Sequence, residues 1–330
     1  MIDFRYHLVS IIAVFLALAV GLVVGSTALP GKTEEALTVA QHKAISENTA
    51  LRKERNLLQQ QVAGDEAFAT ASSERLLAGL LTGERVVLVA APGANRAVLS
   101  GLTTALRQAG ATVTGQVSLT GAFTTTTGQN EAALSGLAQS LASKAGLQLT
   151  AQSASPVSGQ QAAAQVLAAS LVSSSDTLAS TASQEILVGF SQSGFITVDS
   201  GAPADAPAEL AILVTPDGQP QQSDVLVAVA QELKSEGSAT VMAGAVSSIG
   251  LPGGTAISAE ISAGNAVSTV DNADTETGQI LVVQALRYLL NGKPPAAYGV
   301  ASAKAPSPAP IPVATPTVKP SASSSAKSHA

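Results

Sequence analysis

The chain has 330 residues, of which 46% are hydrophobic but only 12% charged and 3% aromatic, with no Cys, no Trp and a formal net charge of −6. This excludes a disulfide scaffold, a Cys-ligated zinc or iron–sulfur site and a cysteine nucleophile, and an acidic chain without a basic stripe is not a nucleic-acid binder. Thirteen acids and a single base, Lys234, lie between Ala145 and Leu286, a field that repels polyanions and equally keeps an acidic domain soluble.

Leu8 to Leu29 is an uncharged run of 22 residues. As a helix it is about 33 Å long, enough to cross a hydrocarbon core of about 30 Å. It reads as an uncleaved transmembrane helix behind a short cytoplasmic lead, residues 1–7. A cleaved signal peptide is the rival, since Ser26-Thr27-Ala28 offers a small-x-small site. The one Arg of the lead, offset by Asp3, and the length of the apolar run speak against it. Arg5 and Lys32 flank the span and specify orientation weakly; the short lead places the bulk of the chain outside the cytoplasm. Gly21 and Gly25 form a small-xxx-small pair that lets two helix backbones approach in lipid, although glycine is also common in membrane helices.

Residues 30–83 are expected to form a stalk. Thr33 to Ser73 contains no Pro and only one Gly. Leu37, Ala44, Leu51 and Leu58 recur every seven residues, the spacing of a coiled-coil seam. Ala40, Asn48, Arg55 and Val62 hold the alternate positions, where polar groups weaken pairing and can set register. The spacing predicts a short parallel coiled coil; the alternative is one amphipathic helix packed on its own domain.

Residues 84–299 read as an α/β domain. Arg85 to Ala91 is a Val-rich run broken by Pro92-Gly93, the pattern of a fully buried strand. A helix follows from Asn95 to Ala109, stopped by Gly110, and Thr112 to Leu119 alternates as a second strand, completing one βαβ unit. Helices are predicted over Gln129–Ala145, Gln160–Ser173 and Ser223–Glu236. Further strands are predicted over Phe195–Val198, Leu210–Thr215, Thr240–Ala243 and Val267–Val270. A last helix is capped within Asp271–Thr275 and ended by Gly292 and Pro294-Pro295. Its acids do not match a calcium loop, because Ala273 takes a ligand position and Glu276 the glycine position. Residues 300–330, rich in Pro, Ala and Ser, form a tail that cannot bury a core.

Catalytic constellations are not found in the sequence. The three histidines are His7, His42 and His329, all outside the α/β domain, so a Ser-His-Asp triad is not available there. No GxGxxG or Walker A loop follows a strand, and Gly250–Thr255 is glycine-rich without a lysine. The sequence therefore gives no catalytic residue and no cofactor, and the chain is not expected to be an enzyme.

The opening Met1-Ile2-Asp3-Phe4-Arg5-Tyr6-His7-Leu8-Val9-Ser10, continuing through Ala13–Ala19 to Gly21 and Gly25, resembles an actinobacterial envelope family, that of the mycobacterial copper transport protein B. Val270-Asp271-Asn272 with Thr275 and Gly278, the following helix through Leu290 and Tyr298-Gly299 are similar too. So are the Val86–Ala91 strand with Pro92-Gly93, and Ala109-Gly110-Ala111. The resemblance implies an outer-membrane or other envelope protein that keeps intracellular copper low, with copper as the transported ion, through a pore used for efflux. The residues set limits on that chemistry. Cu(I) prefers thiolate and thioether and Cu(II) imidazole, yet Met242 is the only internal Met and there is no Cys. No tight copper site is expected, and a pore requires a homo-oligomer assembled through Gly21, Gly25 and the stalk. The alternative expectation is a bitopic envelope scaffold without transport activity.

Overall fold

The computed structural model describes residues 4–28, 30–126, 128–149, 158–173, 178–199, 207–216, 218, 220–245 and 255–300. The proline-rich tail beyond Val300 and the glycine-rich segment before Thr255 therefore lie outside the described residues. The chain divides into two compact units, Met1–Asp65 and Glu66–Ala330.

The first unit is helical. Helix α1, Phe4–Ala28, contains the span Tyr6–Ser26 with a mean hydropathy of 2.9 and none of its surface buried. It is apolar all round, so it has no face to turn toward a protein core; in lipid, a helix satisfies its own backbone groups. The Ser26 hydroxyl donates back to the Val23 carbonyl at 3.0 Å. Helix α2 runs unbroken from Pro30 to Leu77, opening on a proline whose missing N–H is one of the donors left over at any helix start. Every described side chain from Thr38 to Asp65 is exposed. From Glu66 onward α2 belongs to the second unit, where Ala69, Ser73 and Leu77 are buried.

The second unit carries a seven-stranded sheet of β1 Arg85–Ala90, β2 Thr112–Leu119, β3 Ile196–Val198, β4 Leu210–Val214, β5 Ala239–Ala243, β6 Ser268–Val270 and β7 Ala297–Tyr298. The strands lie in the order β3-β2-β1-β4-β5-β6-β7. Every pairing is parallel except that of β2 with the edge strand β3. Helices α3 Arg96–Gln108 and α10 Glu276–Leu290 cover one face, together with the end of α2. Helices α5 Gln129–Ala145, α6 Ser158–Leu171, α7 Ser180–Gln192 and α8 Ser223–Glu236 cover the other. The short helices α4 Gly121–Thr124 and α9 Ala256–Ser262 complete the set. The alternation of strand side chains explains why β1 reads as one apolar run: Val87 and Val89 enter one core, Val86, Leu88 and Ala90 the other. The expected α/β fold is thus observed, as a mainly parallel sheet with helices on both faces.

Local chemistry sets the helix ends. The Asn95 side chain accepts from the Ala97 N–H at 2.9 Å and starts α3. Gly110 follows its end with φ +83°, where a Cβ would press on Thr82. At α10 the Thr275 hydroxyl accepts from the Gly278 N–H at 3.0 Å. A second cap comes from far away in sequence: the Glu66 carboxylate accepts from the Glu276 N–H at 2.7 Å. A carboxylate at a helix N-terminus gains from both the free N–H and the helix dipole. Glu66→Ala is expected to lower stability by about 1 kcal/mol, read as a drop in thermal midpoint, with Glu66→Gln recovering only part of it.

Candidate functional site

The strand order reverses between β1 and β4, the place where open α/β sheets hold their ligands, beyond the carboxyl ends of the strands. Here the two loops that leave those strands meet in an antiparallel bridge of Ala94 with Pro216. The space left open lies to one side, a groove of about 550 Å³ between the Pro92-Gly93 turn, the first half of α3 and the ends of β2 and β3.

The lining of this groove mixes small apolar residues with polar side chains. Arg96 stands at its α3 wall and Asp199 at its β3 wall, and the Gln116 amide donates to the Asp199 carboxylate at 2.6 Å. The Ser100 and Thr103 hydroxyls donate to their own helix carbonyls, Ala97 and Leu99, at 3.0 and 2.8 Å. No histidine lies in the sequence of this unit before His329. The groove can hold a polar group between Arg96 and Asp199.

Two carboxylate pairs lie elsewhere. Glu84 and Glu209 meet where β1 and β4 begin, and Arg85 donates to the Glu209 carboxylate at 2.9 Å and to the Pro207 carbonyl at 2.9 Å. Burial holds the Glu84 carboxyl above its ordinary value, helped by its hydrogen bond to Glu209 and by the charge of that residue. Glu232 and Glu236 stand one turn apart on α8 beside a cavity of about 210 Å³. Burial, and then the Glu232 charge, push Glu236 up, while the Gln161 amide donates to Glu232 at 3.2 Å.

A raised carboxyl stabilises the folded state most at acid pH, and that contribution fades as pH rises through the folded value. Glu84→Gln keeps a hydrogen-bond donor toward Glu209 and removes the charge. It is expected to raise the thermal midpoint at pH 7 and to match the parent near pH 4, measured by calorimetry across that range.

Among the described residues no group of three or more His, Cys, Asp or Glu side chains could share a metal ion. The Met242 thioether is fully buried in the core, closed to a soft cation. The small-residue pair, Gly21 and Gly25, lies one turn apart on α1 with open space where each Cβ would stand. Along α2, Ala44, Leu51 and Leu58 are all exposed, and the Leu37 side chain lies outside the described residues.

The family described as "Copper transport outer membrane protein, MctB" matches residues 1–308, taking in α1, α2 and all the strands of the sheet. The chain belongs to the MctB family. Relatives named "Copper transporter MctB" from Mycobacterium bovis, Mycobacterium tuberculosis and Mycobacterium leprae are each 30% identical over 310 residues, 91% of this chain and 96% of theirs. MctB membership and the apolar α1 make this a membrane protein of the cell envelope, with a larger domain following its helix.

Proposed function

We propose that this chain acts in copper efflux as a homo-oligomer held in the membrane by α1, with the α/β unit outside the cytoplasm and no tight copper site. The observation that supports it most is the family match, which extends from the first residue through the sheet unit. The chemistry fits a carrier path better than a store. Soft sulfur ligands are nearly absent from the sequence, and conduction needs sites weak enough to release each ion. One apolar helix encloses no pore, so several copies must surround any path. Gly21 and Gly25 offer the close helix contact in lipid, and the stalk offers a second contact beyond it.

The full chain reconstituted in liposomes is expected to pass copper, followed by a trapped copper-responsive dye. Equilibrium dialysis is expected to find no stoichiometric copper at micromolar concentration. Copper-tight liposomes at every protein density would overturn the reading. A second reading, a bitopic envelope scaffold, draws on the one apolar span among the described residues and on the long exposed stretch of α2. Under it the liposomes stay tight and cross-linking in cells captures envelope partners.

A further inference from the structure

Taking as its basis the proposed oligomer, we infer that the α2 stalk pairs with a second copy of this chain in parallel and in register, over Gln41 to Asp65. Leu51, Leu58 and Val62 are 64%, 56% and 58% exposed, on one stripe of a helix whose described side chains are bare from Thr38 to Asp65. Ala69, one heptad after Val62, is buried in the second unit, as are Ser73 and Leu77. The stripe is uncovered through Val62 and is first buried within the chain at Ala69, which sets the carboxyl end of the pairing.

Charge selects the occupant and its direction. With Leu51 and Leu58 as the paired core leucines, Asn48, Arg55 and Val62 fall on the other core position, and Glu47 and Arg52 flank the seam. In a parallel in-register pair each Glu47 lies beside Arg52 of the second copy, the arrangement that flanking charges use to choose orientation. Reversing one helix so that Leu58 faces Asn48 and Leu51 faces Arg55 of the second copy instead brings Glu54 near Glu54 and Arg52 near Arg52, like charges that disfavour it. A polar Asn48 facing its own counterpart can bond across the seam, which holds register, while Arg55 facing Arg55 is a like-charge contact that lowers the stability of the pair without changing its direction. Two copies anchored through α1 with the same orientation also enter the stalk from the same end. Lys43 shares Glu47 within the helix at 3.9 Å, but both groups are well exposed, and Glu47 has a second carboxylate oxygen for an added partner.

The chain has no cysteine, so single cysteines report the geometry directly. The full chain carrying Asn48→Cys or Val62→Cys, in detergent micelles under mild oxidation, is expected to form disulfide dimers. Lys53→Cys, on the outer face, is expected to remain monomeric on the same gel. Arg52→Glu is expected to weaken self-association about fivefold, and Glu47→Arg with Arg52→Glu to restore it. Dimers formed only on mixing Asn48→Cys with Leu58→Cys chains would overturn the parallel register and leave oligomerisation standing. A monomeric mass by light scattering, with no cross-link at any site, would overturn both.

Discussion

Gly278→Ala is expected to lower the stability of the α/β unit by about 3 kcal/mol, near the upper end for overpacking. A Cβ on Gly278 would overlap the Asn272 carbonyl and press on the Ala273 nitrogen at 2.8 Å. Both are backbone atoms of the turn that carries the chain from β6 into α10, and the Ala273 N–H is itself bonded to the Gly244 carbonyl at 2.8 Å. Neither can move without breaking the link to β5. For a unit of this size the loss corresponds to a fall of about 8 °C in thermal midpoint. Gly64→Ala provides the contrast. Its Cβ would meet open space on α2, and the better helix former is expected to be neutral or stabilising by up to about 1 kcal/mol. Equal destabilisation by the two substitutions would contradict the assigned backbone contact.

The second large effect is on membrane retention. The span Tyr6–Ser26 holds twelve Leu, Ile, Val and Phe side chains, together contributing about −4 to −7 kcal/mol to insertion. Leu16→Arg with Val20→Arg places two guanidinium groups near the centre of that span at about +2.5 to +3.5 kcal/mol each, enough to cancel the gain. The doubly substituted chain is expected in the aqueous fraction after alkaline extraction. Tyr6→Arg, at the edge where a long cation reaches the headgroups, is expected to stay in the membrane pellet.

The parts of the fold that were legible in the sequence carry local signals. Arg85 to Ala90 is buried on both faces and therefore continuous in Val and Leu. Helix α3 is bounded by its Asn95 cap and Gly110, and α8 occupies the predicted Ser223–Glu236. Helix α7 carries no such signal, because among its Ser, Thr and Gln residues only Ile186, Leu187 and Phe190 supply large buried apolar groups, with no side-chain cap at its start. The two-residue β7 is too short for any period, and is placed by pairing Thr269 with Ala297 and Val270 with Tyr298. Strand β3 was anticipated within a residue, but its antiparallel pairing with β2 rests on contacts remote in sequence. The same holds for the chemistry. The four-residue spacing of Glu232 and Glu236 does not by itself mark a site, since it recurs on any solvated helix face, and the Glu84–Glu209 pair and the Glu66 cap join residues that only folding brings together. Gly278 stands in the resemblance motif, yet its reason, a backbone pressed against it, is visible only in three dimensions.

A role in efflux is read most directly from cellular copper. Cells lacking this protein, grown in sub-inhibitory copper and measured by elemental mass spectrometry, are expected to hold more copper per cell than the parent strain. The full chain should return the level to normal, and the Leu16→Arg, Val20→Arg chain should not. Unchanged copper content in the deletion strain, across the range of copper supplied, would contradict a role in efflux.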